Sequence, residues 1–165
     1  MVKTEKATFG AGCFWGVEDI FMKMKGVTST AVGYEGGTLE NPTYEDVCSH
    51  TSGHAEVVQF EFDPKIVSYK ELVKKFFSIH DPTQVNRQGP DVGSNYRSVI
   101  FCHSEEQKKI AESMKKELEK TPEFNGKKIA TAIESAKEFY LAEAYHQQYF
   151  EKKRKQGFTV FGCHI

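Results

Sequence analysis

Apolar and polar positions along the 165-residue chain change their period several times, and each change marks an element. Residues 4–9 alternate and predict a first strand, which runs through Gly10-Ala11-Gly12 into a helix with Phe14, Val17, Phe21 and Met24 on one stripe. Gly26 is expected to close that helix. Residues 28–34 predict a second strand, 36–42 a loop, and 54–62 a third strand stopped by Pro64. Ser68-x-x-Glu71 forms a capping-box pattern before a helix that turns Leu72, Val73, Phe76 and Phe77 inward. A long polar loop, 80–96, leads to a strand at 98–102. A second capping-box pattern, Ser104-x-x-Gln107, then opens a helix carrying Ile110, Met114 and Leu118 at a spacing of four. Residues 129–134 predict the last strand and 141–150 a short final helix.

Strands alternating with helices that share one apolar face point to an α+β fold. The expectation is a two-layer α/β sandwich, its mixed sheet covered by helices, with a ferredoxin-like core. The pattern leaves strand order open. Length fits one domain with a core large enough to stand without disulfides, expected at 1–150 with a C-terminal tail at 151–165. No internal repeat or Pro/Ser-rich linker interrupts it.

Composition narrows the function classes. A formal net charge of -1 gives no broad attraction for nucleic acid, and 39% apolar residues is ordinary for a soluble globular chain. Residues 1–6 are charged where a secretory peptide needs an apolar run, and no stretch approaches about 18 apolar residues, so neither a membrane span nor export is expected. The expected compartment is the cytoplasm. There Cys13, Cys48, Cys102 and Cys163, far apart and without C-x-x-C, do not read as a disulfide scaffold.

Two residues stand out. Cys13 follows a glycine-rich turn at the start of a helix, where unpaired N–H groups and the helix dipole favour a thiolate, although a strand-to-helix corner also suits a buried cysteine. Alternation puts Glu56 on the face of Val58, Phe60 and Phe62, where desolvation favours the neutral acid and a proton-donor role. A carboxylate reaching solvent past His54 is the structural alternative. Of the adjacent aromatics Phe14 and Trp15, at least one should stay near the surface. The 80–96 loop is long enough to be functional or a self-bonded Ω-loop, and Tyr44 reads equally as an exposed turn aromatic. Cys48 and Cys102 are expected to be buried and inert, while Cys163 sits in a glycine-containing tail. The uneven Cys48, His50 and His54 spacing is a weak metal signal.

Several ordered motifs resemble one family, the A-type peptide methionine sulfoxide reductases. Gly12-Cys13-Phe14-Trp15-Gly16 is similar to its nucleophile motif and Ser52-Gly53-His54-Ala55-Glu56 to its Thr-Gly-His-Ala-Glu motif. Gly33-Tyr34-Glu35-Gly36-Gly37, Asn41-Pro42-Thr43-Tyr44, Gly93-Ser94-Asn95-Tyr96-Arg97-Ser98 and the 142–149 segment match in order. The resemblance implies that Cys13 attacks the sulfoxide sulfur and becomes a sulfenic acid, with Glu56 as the acid and Tyr44 and Tyr96 binding the oxygen. It implies further that Asp91 orients the site and that Phe14 and Trp15 enclose the S-methyl group. The implied substrates are the S epimer of methionine sulfoxide, free or in oxidised proteins. No metal or flavin is implied, and thioredoxin is the implied source of electrons. Family members often carry a longer Gly-rich tail with one or two resolving cysteines; here only Cys163 is available, with a non-essential cysteine common at the Cys48 position. From Phe150 the tail spans 13 residues, enough if extended at ~3.3 Å each for Cys163 to reach Cys13.

Two other classes fit parts of the pattern. A Cys-dependent hydrolase or acyl transferase would use His54 or His146 as base to Cys13, but has no third member and no use for Glu56. A metal- or peptide-binding module is the non-enzymatic alternative.

Overall fold

The computed structural model of the chain describes residues 3–160, so Cys163 lies outside the described residues. Its elements are β1 (Glu5–Ala11), α1 (Phe14–Met22), β2 (Val27–Glu35), α2 (Tyr44–Cys48), β3 (Ala55–Phe62), α3 (Tyr69–Ser78), β4 (Arg87–Gln88) and β5 (Asp91–Val92). They continue with β6 (Ser98–Cys102), α4 (Glu105–Glu119), β7 (Ala132–Ser135), β8 (Tyr140–Leu141) and α5 (Tyr149–Lys155). Six strands form one sheet in the order β7-β6-β1-β3-β2-β8, and β4 and β5 pair as a separate small hairpin. The sheet is mixed: β6 and β7 run parallel, whereas the other neighbours are antiparallel.

Side-chain alternation divides the core. Val58, Phe60 and Phe62 of β3 join Phe9 of β1 and meet Phe21 of α1 and Phe76 of α3 in the larger cluster. Phe60 lies between Phe21 at 4.9 Å and Phe9 at 5.6 Å, and full burial of such a ring contributes about 2–3 kcal/mol. The opposite face is smaller, with Ala55, Val57, Val99 and Phe101 covered by Ala136 and Phe139 of the descending chain rather than by a helix.

Most elements fall where the hydrophobic pattern puts them, and the departures have local causes. Helix α1 stops at Met22, before Gly26, which takes a left-handed φ of 101° in the turn into β2. Ser68 and Glu71 complete their capping box. At α4, Ser104 accepts from the Gln107 N–H, but the Gln107 side chain reaches past the cap to the His103 N–H and donates to the Lys6 carbonyl. The last long-range strand begins at Ala132 instead of residue 129, because the Ala130 N–H donates to Pro82 and the Thr131 carbonyl accepts from Lys115. The helix expected over 141–150 does not form: Tyr140–Leu141 extends the sheet, a single 3-10 turn covers Ala144–His146, and α5 starts at Tyr149. Two side chains enforce this. Gln147 hydrogen-bonds both backbone groups of Val32, acting as a short strand, and the buried Glu18 carboxylate takes the Gln148 N–H at 2.6 Å while Gln148 adopts a φ of 51°. Arg154 then ties α5 to α1 through Asp19, with N···O distances of 2.6 and 2.7 Å. Among the described residues no helix is long and apolar enough to cross a membrane.

Candidate active site

The turn from β1 into α1 places Cys13 as the N-cap of that helix, partly exposed. Gly12 makes the turn possible. Its φ is 91°, and a Cβ there would come within 2.9 Å of Gln88 Cβ, so the 80–96 loop packs directly against the residue before Cys13. Next in sequence, the Phe14 N–H is an orphan donor of the first helical turn, and Glu56 Oε1 accepts it at 3.3 Å. Glu56 is 2% exposed on the helix-facing side of β3 and does not reach solvent past His54. Asn95 donates to the other carboxyl oxygen at 3.4 Å, and its own Oδ1 is buried with no hydrogen-bond partner among the described residues. A cysteine and a buried carboxyl are thus joined through one backbone amide.

Tyr44 and Tyr96 close the site from two loops. Tyr44 is no exposed turn residue: it opens α2, whose cap Thr43 forms a full box with Asp46, and it packs half-buried against the core. Its phenol lies near Cys48 one turn on and near Tyr96. Burial first, then these contacts and the nearby Glu56 charge, push Tyr44 far above the usual phenol range; burial and Glu56 push Tyr96 up to about 12. Both therefore stay protonated donors through the physiological range. Asp91 pairs with Gln88 in the small hairpin and lies within electrostatic reach of Tyr96.

The apolar wall is built by α1 and the 142–149 segment. Phe14 is buried and Trp15 partly exposed. Trp15 stacks on Tyr149, with centroids 3.8 Å apart and planes 7° from parallel, and its Nε1–H donates to His146 Nδ1 at 2.9 Å. Sequence reading gave no role to Glu143, yet this carboxylate joins the wall to the oxygen side. It accepts from the Tyr34 hydroxyl at 2.9 Å and from the Tyr44 N–H at 3.0 Å. Desolvation works against its charge, but these donors hold it below the usual carboxylate range. Only contacts far apart in sequence reveal Glu143 and Asn95.

Other candidates separate from the site. His54 accepts from the Gly37 N–H at Nδ1, so its Nε2–H donates to the Leu39 carbonyl, which leaves it no lone pair as a base. Cys102 is buried, and burial pushes its thiol up to about 11. Cys48 is half-buried beside Tyr44 instead of buried as expected. Among the described residues no group of three or more His, Cys, Asp or Glu side chains is placed to hold a metal. Helix α5 takes up the start of the tail, and the N–H groups of Gly157 and Phe158 close it on the Arg154 and Lys153 carbonyls.

Residues 5–162 match the family described as peptide methionine sulfoxide reductase. The peptide methionine sulfoxide reductase MsrA of Methanothermobacter thermautotrophicus is 62% identical over 152 residues, 92% of this chain and 89% of that protein. Among solved structures, reduced Mxr1 from Saccharomyces cerevisiae superposes with a TM-score of 0.84 at 39% identity, covering 95% of this chain and 89% of that one. Mxr1 in complex with Trx2 gives a TM-score of 0.62 at 34% identity, over 89% and 85% of the two chains.

Proposed function

The chain belongs to the peptide methionine sulfoxide reductase family and is an oxidoreductase that reduces methionine sulfoxide, and from that premise we propose how its own residues carry the reaction. Cys13 is the nucleophile, attacking the sulfoxide sulfur as thiolate at the N-terminus of α1. Glu56 supplies the proton that turns the sulfoxide oxygen into a leaving group. It is 2% exposed on the apolar face of β3, where burial opposes charge. Tyr44 and Tyr96, held as phenols, donate to the same oxygen, Asp91 orients that side, and Phe14 and Trp15 take the S-methyl group. The oxygen moves to Cys13, so that thiol and sulfoxide become sulfenic acid and thioether with atoms and electrons balanced.

Regeneration needs a second thiol, which expels water from the sulfenic acid and leaves a disulfide. Cys163 is the proposed partner on the segment after residue 150, with thioredoxin as final dithiol, in line with the yeast relative's complex with Trx2. No bound cofactor enters this scheme, and a reducing cytoplasm suits it. The observation that carries the reading is the Phe14 N–H bridge to Glu56, which sets the acid one residue from the nucleophile. A thioredoxin-coupled assay on the two separated epimers tests it. The S epimer should turn over, and Cys13→Ser should lose at least about a thousandfold in kcat. Turnover of the R epimer, or an active Cys13→Ser variant, overturns it.

A further inference from the structure

His146 is 1% exposed in the 3-10 turn between β8 and α5, and it contacts more of the site than any single role above requires. Its ring lies 5.1 Å from Phe14, 4.7 Å from Tyr44 and 4.0 Å from Tyr145. An indole N–H can only donate, so the 2.9 Å contact from Trp15 makes His146 Nδ1 an acceptor and puts the imidazole proton on Nε2. That Nε2 is buried and has no hydrogen-bond partner among the described residues. We propose that His146 is a positioning residue: as the neutral Nε2–H tautomer it anchors the Trp15 indole through Nδ1, and protonation releases that wall of the site. The indole also stacks on Tyr149, which fixes its plane, and meets Phe150 edge-on at 6.5 Å; the Nδ1 contact is the directional bond that sets its position within the plane. What the wall binds rests on the reading proposed above for Phe14 and Trp15; the anchoring itself does not.

A charged His146 would lose its acceptor and carry an unpaired buried donor. Burial accordingly holds its pKa below 6.5, opposed by Glu143. The groups around it are Tyr44 from α2, Tyr145 and Glu143 from its own turn, and Tyr149 and Lys152 from α5; Phe14 and Trp15 from α1 bring no charge. Tyr44 and Tyr145 are both pushed above the ordinary phenol range and Glu143 is held low, so none of these three changes charge as pH falls from 8 to 5.

The chain has a single tryptophan, so its emission reports Trp15 alone. On acidification from pH 8, wild-type emission should step with a midpoint below the 6.5 of an ordinary histidine. His146→Asn, whose Oδ1 can stand in for Nδ1, should show no such step and keep KM for a peptide methionine S-sulfoxide within about twofold of wild type. His146→Phe keeps the ring and loses the acceptor, and should raise KM by about fivefold with kcat within about twofold. A wild-type emission flat to pH 5, the same step in His146→Asn, or an unchanged KM in His146→Phe overturns the proposal. Because the emission arm contains no sulfoxide, it judges His146 even if the S-epimer assay fails.

Discussion

His80 and His146 are both buried, but one is fully wired and the other is not. His80 donates through Nδ1 to the Phe76 carbonyl at the end of α3, so its Nε2 accepts from Ser98 of β6, which in turn bonds Thr131 before β7; each distance is 2.7 Å. Burial holds this imidazole neutral, at about 4, and the chain of bonds closes helix, sheet and connection with nothing spare. On the Cys13 side of the site, by contrast, Asn95 Oδ1 and His146 Nε2 are buried without hydrogen-bond partners among the described residues. A completed network fixes geometry. Unfilled hydrogen-bonding capacity costs stability in the resting protein and is available to a bound polar group.

Of the changes that separate these two regions, Glu56→Gln should have the largest effect. The glutamine Oε1 can keep the Phe14 N–H, and its Nε2 can donate to the unfilled Asn95 Oδ1 once that amide rotates, so folding should be retained and Tm shift by no more than about 2 °C. Activity near neutral pH should fall by about a hundredfold or more, because the site loses its proton donor. A large Tm loss with modest loss of kcat would assign Glu56 to the scaffold instead. His80→Leu should do the reverse. It leaves the Phe76 carbonyl only the long 3.4 Å bond from the Ile79 N–H and cuts the link to Ser98, at a cost of about 2–4 kcal/mol or roughly 10 °C in Tm. Measured at 25 °C per folded molecule, kcat/KM should stay within about twofold; a collapse of activity without a fall in Tm breaks the distinction between the two regions.

Legibility in the sequence followed the same line. Elements with a strong period and a local cap, such as α3 with Ser68 and Glu71 or β3 with its alternation, were readable because neighbouring residues suffice to specify them. The 141–150 stretch was misread because Gln147 and Glu18, whose partners Val32 and Gln148 lie 115 and 130 residues away, override its helical pattern. Cys13 and Glu56 could be singled out from their placement on a helix start and an apolar face. Asn95, Glu143 and the His146 anchor could not, because their partners lie 39 to 131 residues away.

Glu35 tests whether spare capacity alone marks a site. It sits on the face of the sheet away from Glu56, since Tyr34 pairs with Glu56 and Glu35 with Ala55. It is fully buried, takes only the Lys137 N–H at 3.3 Å, and leaves Oε1 without a partner among the described residues. Burial, opposed by the Lys137 N–H and ammonium and aided by Glu134 and Glu138, pushes it up to about 7. The folded protein therefore binds this proton more tightly than the unfolded chain. The resulting stability is complete below the ordinary value of 4.5 and is lost as pH rises through about 7. Glu35→Gln stays neutral throughout, so its Tm should exceed wild type by a few degrees at pH 8 and converge with it toward pH 5. Parallel Tm profiles for the two proteins would mean that the Glu35 carboxylate is accommodated in the fold. A rising gap, with kcat for the sulfoxide unchanged, would show that an unfilled buried acceptor on the opposite face of the sheet from Glu56 only weakens the fold, and that capacity becomes function where it faces the nucleophile.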